Sequence, residues 1–255
     1  MLEEPYRWVE AINNRREYVE DQLASGSPVV GTTYADGVLL LTATPGPRKL
    51  FEVYDEIAFA AVGHPADIEK LRKAVIDIAH LEGFNLSAND VTLQRLVSFG
   101  IGPLMKAAFD ELFRSPFVAR VMMAELDPDG GGDAFFTIDA DGSFAQSGGV
   151  AAISGNAESA QAMTAQLQET SPELPLDQAL SAALAVWGLG RLTLDARDGG
   201  GEVPSAEAVR DFLKGGLQGL TVEAAVLDRD RAAKSKFRLL TAEQIAEPLA
   251  SYFEA

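Results

Sequence analysis

Few residues in this chain combine a reactive type with a spacing that could do chemistry. There is no cysteine, which excludes a thiolate zinc site, a cysteine nucleophile and a disulfide framework together. The two histidines are His64 and His80. Neither has a second histidine or a carboxylate at ligand spacing of the His-Glu-x-x-His kind, so no metal site is expected and both read as surface or packing residues. Gly188-Leu-Gly190 lacks the third glycine and the preceding strand of a dinucleotide fingerprint. Asp127-Pro-Asp129-Gly-Gly-Gly-Asp133 lacks the terminal glutamate and the glycine spacing of a calcium loop, and reads as a hairpin loop. No cofactor is expected. There is also a short basic pair, Arg48-Lys49, after a Pro/Gly break. Taken alone, Lys49 is a solvated lysine at the end of a strand.

The elements that would position such residues follow from periodicity. With 255 residues and 47% hydrophobic content, one domain can bury a substantial core. Residues 5–24 predict a helix, since Trp8, Ile12, Val19 and Leu23 recur near helical spacing and Pro5 suits the first turn. An apolar strand follows over Val29–Tyr34, then a turn at Ala35-Asp36-Gly37 and a second apolar run over 38–41. From Pro65 the period changes. Ile68, Leu71, Val75 and Ile78 mark a helix closed by Gly83. A longer helix, capped by Asn89 or Ser87, turns Val91, Leu96, Val97, Leu104, Ala108 and Leu112 inward. Gly100 and Gly102 interrupt it.

Strands return at 117–126, 134–138 and 150–154, with Asp141-Gly142 as a hairpin turn. Helices are expected at 157–168 and 176–187, a last hairpin at 220–228 and 236–240, and a helix capped by Thr241 and reaching residue 252. Residues 192–216, with three consecutive glycines and a proline, read as a flexible surface insertion. Runs of strands alternating with pairs of helices argue against a doubly wound parallel sheet. They fit an α+β, four-layer αββα sandwich with an additional N-terminal helix.

The formal net charge of −17 makes a nucleic acid or an anionic membrane a poor partner, because phosphate binding needs clustered lysine and arginine. No apolar run approaches the roughly 20 residues that span a bilayer. The first residues, MLEEPYRWVE, lack a signal-peptide apolar region. A cytoplasmic protein is expected.

The order of residues 29–64 resembles the opening of a proteasome core subunit, of the N-terminal-nucleophile hydrolase fold. The similar features are the YADGV turn, the RKLFEVYD strand and the glycine that opens the first helix. The resemblance covers nearly the whole chain and is closest to bacterial α-type subunits. It implies two alternatives. In a catalytic β-type subunit, or a stand-alone proteasome-like peptidase, Ser27 would be the N-terminal nucleophile exposed by cleavage after Gly26. Its own amine would be the base, Lys49 would lower its pKa, and Gly63 would give the oxyanion N–H. Against this, Ala43 stands where the family has an aspartate, Trp187–Arg191 lacks the family's D-x-x-S, and Pro28 follows Ser27 directly. Ser154-Gly155, Lys49 and Gly63 match the active pattern, but the last two also occur in inactive subunits.

The other alternative is expected here: a non-catalytic α-type subunit of a bacterial 20S proteasome core. The resemblance then implies a heptameric ring that stacks on β subunits, gates the passage of unfolded protein substrates and docks a hexameric ATPase or other activator. Lys49 would receive the activator's C-terminal carboxylate. Trp8, Ile12 and Val19 would serve ring assembly. Residues 1–26 would form the assembly and gating segment, and residues 27–255 a single proteasome-type domain.

Overall fold

The computed structural model describes residues 4–111, 113–130, 132–196 and 203–254. Its strands are β1 (Val29–Tyr34), β2 (Gly37–Thr44), β3 (Leu50–Tyr54), β4 (Ile57–Gly63), β5 (Ala119–Glu125), β6 (Ala134–Ile138), β7 (Phe144–Gly148), β8 (Val150–Ile153), β9 (Thr221–Asp228) and β10 (Phe237–Leu239). Its helices are α1 (Glu4–Leu23), α2 (Pro65–Asn85), α3 (Leu93–Arg95), α4 (Gly102–Asp110), α5 (Ala157–Gln168), α6 (Leu176–Asp195), α7 (Ala206–Gly216) and α8 (Ala242–Glu254).

Two antiparallel five-stranded sheets form, in the orders β10-β9-β2-β1-β8 and β3-β4-β5-β6-β7. Strand β2 is buried along its whole length because it is central in a sheet covered on both faces. Its side chains alternate as the pleat requires. Leu39, Leu41 and Ala43 join Leu184, Trp187 and Val226 beneath the α5–α6 layer. Val38 and Leu40 meet Ala58, Met122 and Phe135 between the sheets. On the far face of the second sheet, Phe59, Val121 and Met123 pack with Leu71, Val75 and Ile101. The result is the four-layer αββα sandwich with its N-terminal helix.

Gly37 turns β1 into β2 at φ 151°, and a Cβ there would lie 2.0 Å from the Leu227 carbonyl oxygen. Only glycine fits that approach. At the other end of the chain, Thr241 and Gln244 form a capping box at the start of α8, each side chain bonding the other's backbone N–H.

Several expected boundaries are corrected. Gly83 does not close α2, which continues to Asn85. A Cβ at Gly83 would lie 2.5 Å from the Tyr54 hydroxyl, so its role is to admit that ring. Neither Asn89 nor Ser87 caps the long helix; Ala88–Asp90 is a short 3-10 turn, and α3 starts after Thr92. Glu125, at the end of β5, accepts the Leu93 N–H at 3.1 Å and satisfies that helix end from 32 residues away. A π-helical turn then spans Leu96–Ile101 before α4. It adds backbone without adding a turn, which rotates the faces of α4 by about one residue, or 100°. Met105 and Phe109 therefore face the core, while Leu104 is exposed and Ala108 only half-buried. Leu112 lies outside the described residues.

The expected insertion at 192–216 is also corrected. Helix α6 does not stop at Trp187 but runs to Asp195, and α7 is eleven residues long with Val209 and Leu213 buried. These two side chains seat on Gly188, where a Cβ would come within 3.0 Å of each. Gly190 similarly admits Met163. The pair Gly188-Leu-Gly190 thus serves helix packing. Of the expected insertion, residues 197–202 lie outside the described residues.

The Asp127–Asp133 loop is held by an ion pair. The buried Asp133 carboxylate takes both Arg229 Nη2 contacts, at 2.9 and 3.2 Å, together with the Asp127 N–H and the Thr33 hydroxyl. Arg229→Ala would leave that carboxylate buried with its charge uncompensated. The expected loss is about 3 kcal/mol, measured by denaturant unfolding. A loss under about 1 kcal/mol would show that the pair contributes no more than an ordinary surface bridge.

Candidate functional site

Helix α1 lies across one end of the sandwich and is fixed by its C-terminal half. Val19 and Leu23 are buried against Ala140 and Val118. Glu20 pairs with Arg120, which also binds Asp139 and the carbonyls of Ser154 and Gly155 at 3.0 and 2.9 Å. Arg16 reaches Asp141 at 3.3 Å. Val19, expected to serve ring assembly with Trp8 and Ile12, is instead buried in its own subunit's core. Trp8 and Val9 are 50% and 57% exposed, and Ile12 is half-buried.

Below the C-terminal half of α1 opens a groove of about 1750 Å³. It brings Ser27, Ala43, Lys49, Gly63, Trp187 and Arg191 together. Ser27 precedes β1, Lys49 precedes β3, and Gly63 ends β4. At φ 137° and with a hypothetical Cβ 2.1 Å from the Val118 carbonyl oxygen, Gly63 must be glycine for packing alone.

The Ser27 hydroxyl is engaged on both sides. It donates to the Ala43 carbonyl and accepts the Trp187 indole N–H at 3.2 Å. Its backbone nitrogen lies in the peptide bond to Gly26, and Gly26 N–H is bonded to Leu23 O at 2.7 Å. The Lys49 ammonium lies 3.5 Å from the Ser27 carbonyl oxygen, not at the hydroxyl. Ser154, which matches an active-site serine by position, donates to Ser159 Oγ at 2.8 Å, and Ser159 donates on to the Gly190 carbonyl. That chain links β8, α5 and α6 within the core.

Lys49 is the notable charge in the groove. Burial lowers its pKa to about 8; Glu223 opposes that shift and Arg191 adds to it. Arg191 itself pairs with Asp195 at 2.9 Å. Glu223 is a residue the motifs did not single out. It reaches from β9 in one sheet to the start of β3 in the other, and its carboxylate accepts the backbone N–H of Lys49 at 3.0 Å and of Leu50 at 3.1 Å. A lone carboxylate within the apolar run LTVEAAVL was the available signal. The groove can thus present one ammonium on a rigid backbone beside apolar walls such as Phe51 and Leu220. That arrangement suits an anionic chain terminus.

His64 caps α2, its Nδ1 accepting the Ala66 N–H at 3.2 Å, and His80 stacks edge-on to Tyr54. Among the described residues, no cluster of three or more His, Asp or Glu could hold a metal, and no helix is long and apolar enough to cross a membrane.

Two facing antiparallel sheets between helix layers, with a serine and a lysine beside the start of β1 and β3, define a protein of the N-terminal-nucleophile hydrolase fold. The family model described as "Proteasome subunit" matches residues 23–186, and the chain belongs to that family. It is 32% identical to a proteasome subunit alpha of Acidothermus cellulolyticus, over 93% of each chain. It is 31% identical to a proteasome subunit alpha of Frankia alni, over 94% of this chain and 92% of that one. A further relative, a proteasome subunit alpha of Streptomyces griseus, is 30% identical over 94% of this chain and 82% of its own.

Proposed function

We propose that this protein is a non-catalytic α-type subunit of a bacterial 20S proteasome core. It forms a ring with other copies of itself, stacks on a ring of β subunits, gates the passage of unfolded substrates and docks an ATPase activator. Residues 1–26 supply assembly and gating, and residues 27–255 the proteasome-type domain. It acts in the cytoplasm.

The observation that carries this reading is the state of Ser27. A nucleophile of this fold needs a free amine as its base and a hydroxyl open to substrate. Ser27 has its nitrogen in a peptide bond behind a packed helix and its hydroxyl bonded to Ala43 and Trp187. The three relatives' names point the same way. Lys49 is then free of a catalytic task, and its ammonium faces the groove as the receptor for an activator's C-terminal carboxylate. Trp8 and Ile12, on the half of α1 ahead of the buried Val19 and Leu23, meet the neighbouring subunit.

The test is co-expression with a candidate β subunit followed by native and intact mass. The reading expects a mixed particle that contains this chain uncleaved at Gly26–Ser27. The purified chain alone should not hydrolyse fluorogenic peptides, and Ser27→Ala should leave the peptidase activity of the mixed particle within about two-fold of its parent. A mass showing removal of residues 1–26, with peptidase activity lost in Ser27→Ala, would instead make Ser27 a nucleophile.

A further inference from the structure

The contacts of Glu223 give it a role that deepens the docking reading of Lys49 and rests on it. A carboxylate buried where the two sheets meet has to be matched by donors. Here the donors are not side-chain cations at close range but two consecutive backbone amides, Lys49 N–H at 3.0 Å and Leu50 N–H at 3.1 Å. The closest cationic group is the largely exposed Arg48, its Nε 3.7 Å away. Glu223 itself is only 9% exposed and sits opposite Thr42 in the β2–β9 pairing, so its backbone is held by the central sheet.

We propose that Glu223 is the positioning residue for Lys49. By clamping both amides it fixes the backbone where the Pro/Gly-containing loop enters β3, and with it the direction in which the Lys49 side chain leaves the strand. Its negative charge also acts on the lysine, opposing the effect of burial on the ammonium. An activator's carboxylate therefore meets an ammonium already aimed and held protonated, and little ordering entropy is lost on binding. The other charged or titratable groups lining the groove are Arg48 beside Lys49, Arg191 and Asp195 on α6, the cap residue His64 with Asp67, Glu69 and Lys70 in the first turns of α2, and Glu111 and Arg114 after α4. Arg191 works against the charged lysine, which leaves Glu223 as the group that favours it.

The probe is a short labelled peptide with an aromatic residue near its free C-terminal carboxylate, to suit the apolar walls at Phe51 and Leu220, compared with the same peptide amidated. Binding to the full-length chain, in the assembly it forms, is followed by fluorescence anisotropy from about pH 7 to about pH 9, the range that brackets the lysine's titration. Wild type should prefer the free carboxylate and lose that preference as pH rises through about 8, when Lys49 deprotonates. Glu223→Gln keeps the shape, but its amide offers one acceptor where two N–H groups need one each. It should weaken carboxylate binding about ten-fold near neutral pH. The pH at which binding falls off should also move down, because the charge opposing deprotonation is gone. A role confined to holding the fold would not move that midpoint.

Glu223→Asp keeps the charge and shortens the reach. It should lose affinity while retaining the wild-type midpoint, and it carries the test if Glu223→Gln does not assemble. Wild-type affinity and midpoint in Glu223→Gln, or wild-type affinity in Glu223→Asp, overturns the proposal. If Lys49→Ala then still abolishes the carboxylate preference, the docking reading survives without Glu223. If wild type shows no carboxylate preference at all, both readings fail.

Discussion

Lys49→Ala is expected to abolish activator-stimulated degradation of folded proteins by particles that still assemble normally. The ammonium stands on a partly desolvated groove wall, where burial has already lowered its pKa to about 8. A carboxylate brought there without it would be desolvated and unpaired. A charge-assisted contact of this kind is worth roughly 1.5–3 kcal/mol, or about ten- to more than a hundred-fold in affinity for each groove. A ring offers several grooves to one activator, so the loss multiplies through avidity. Lys49→Arg keeps the charge but replaces a compact ammonium with a planar fork, and partial function is expected. The measurement is degradation of a folded fluorescent substrate with activator and ATP. Wild-type rates in Lys49→Ala particles would return Lys49 to the role of a solvated strand-end residue.

The second large effect concerns α1. Deleting residues 1–24 would also remove Val19 and Leu23, which belong to the subunit's own core and cover Ala140 and Val118. Trp8→Asp combined with Ile12→Asp changes only the half of α1 beyond those anchors. Burying each of these side chains against a neighbour is worth about 1.5–3 kcal/mol, and a ring repeats the contact at every interface. Adding a carboxylate to an apolar contact costs more than losing the side chain. The double variant should remain folded by circular dichroism, with a melting temperature close to that of the parent subunit. By native mass it should run as single subunits or small oligomers. Full rings at the parent's concentration would mean that this half of α1 does not form the ring contact.

What the sequence alone determined was the part governed by local rules. Alternation and turn chemistry placed the β1–β2 hairpin, because Ala35-Asp36-Gly37 between apolar runs has one economical geometry. Helical spacing located α1, α2 and α5, and Thr241 marked the start of α8 with its own hydroxyl. The absence of cysteine and the isolated spacing of the two histidines argued against whole classes of chemistry. The leading helix, the YADGV turn and the RKLFEVYD strand brought the family within reach, and the missing acid at Ala43 pointed to its α type.

The tertiary structure decided what depends on partners distant in the chain. Helix α3 begins at Leu93 because Glu125 bonds its first amide. The face that α4 buries depends on a π-helical turn, which residue types do not announce. The helix expected to end at residue 187 runs on through Gly188 and Gly190, where Met163, Val209 and Leu213 occupy the space a side chain would need. At the groove, the sequence named Ser27 and Lys49 but not what each one does. The Ser27 hydroxyl accepts the Trp187 indole N–H, and Glu223 accepts the Lys49 backbone N–H, from positions 160 and 174 residues away. Hydrogen bonds to buried groups act only over about 3 Å of space, whatever the separation along the chain. The packing of α6 on its sheet brings Trp187 to Ser27, and the packing of one sheet on the other brings Glu223 to Lys49.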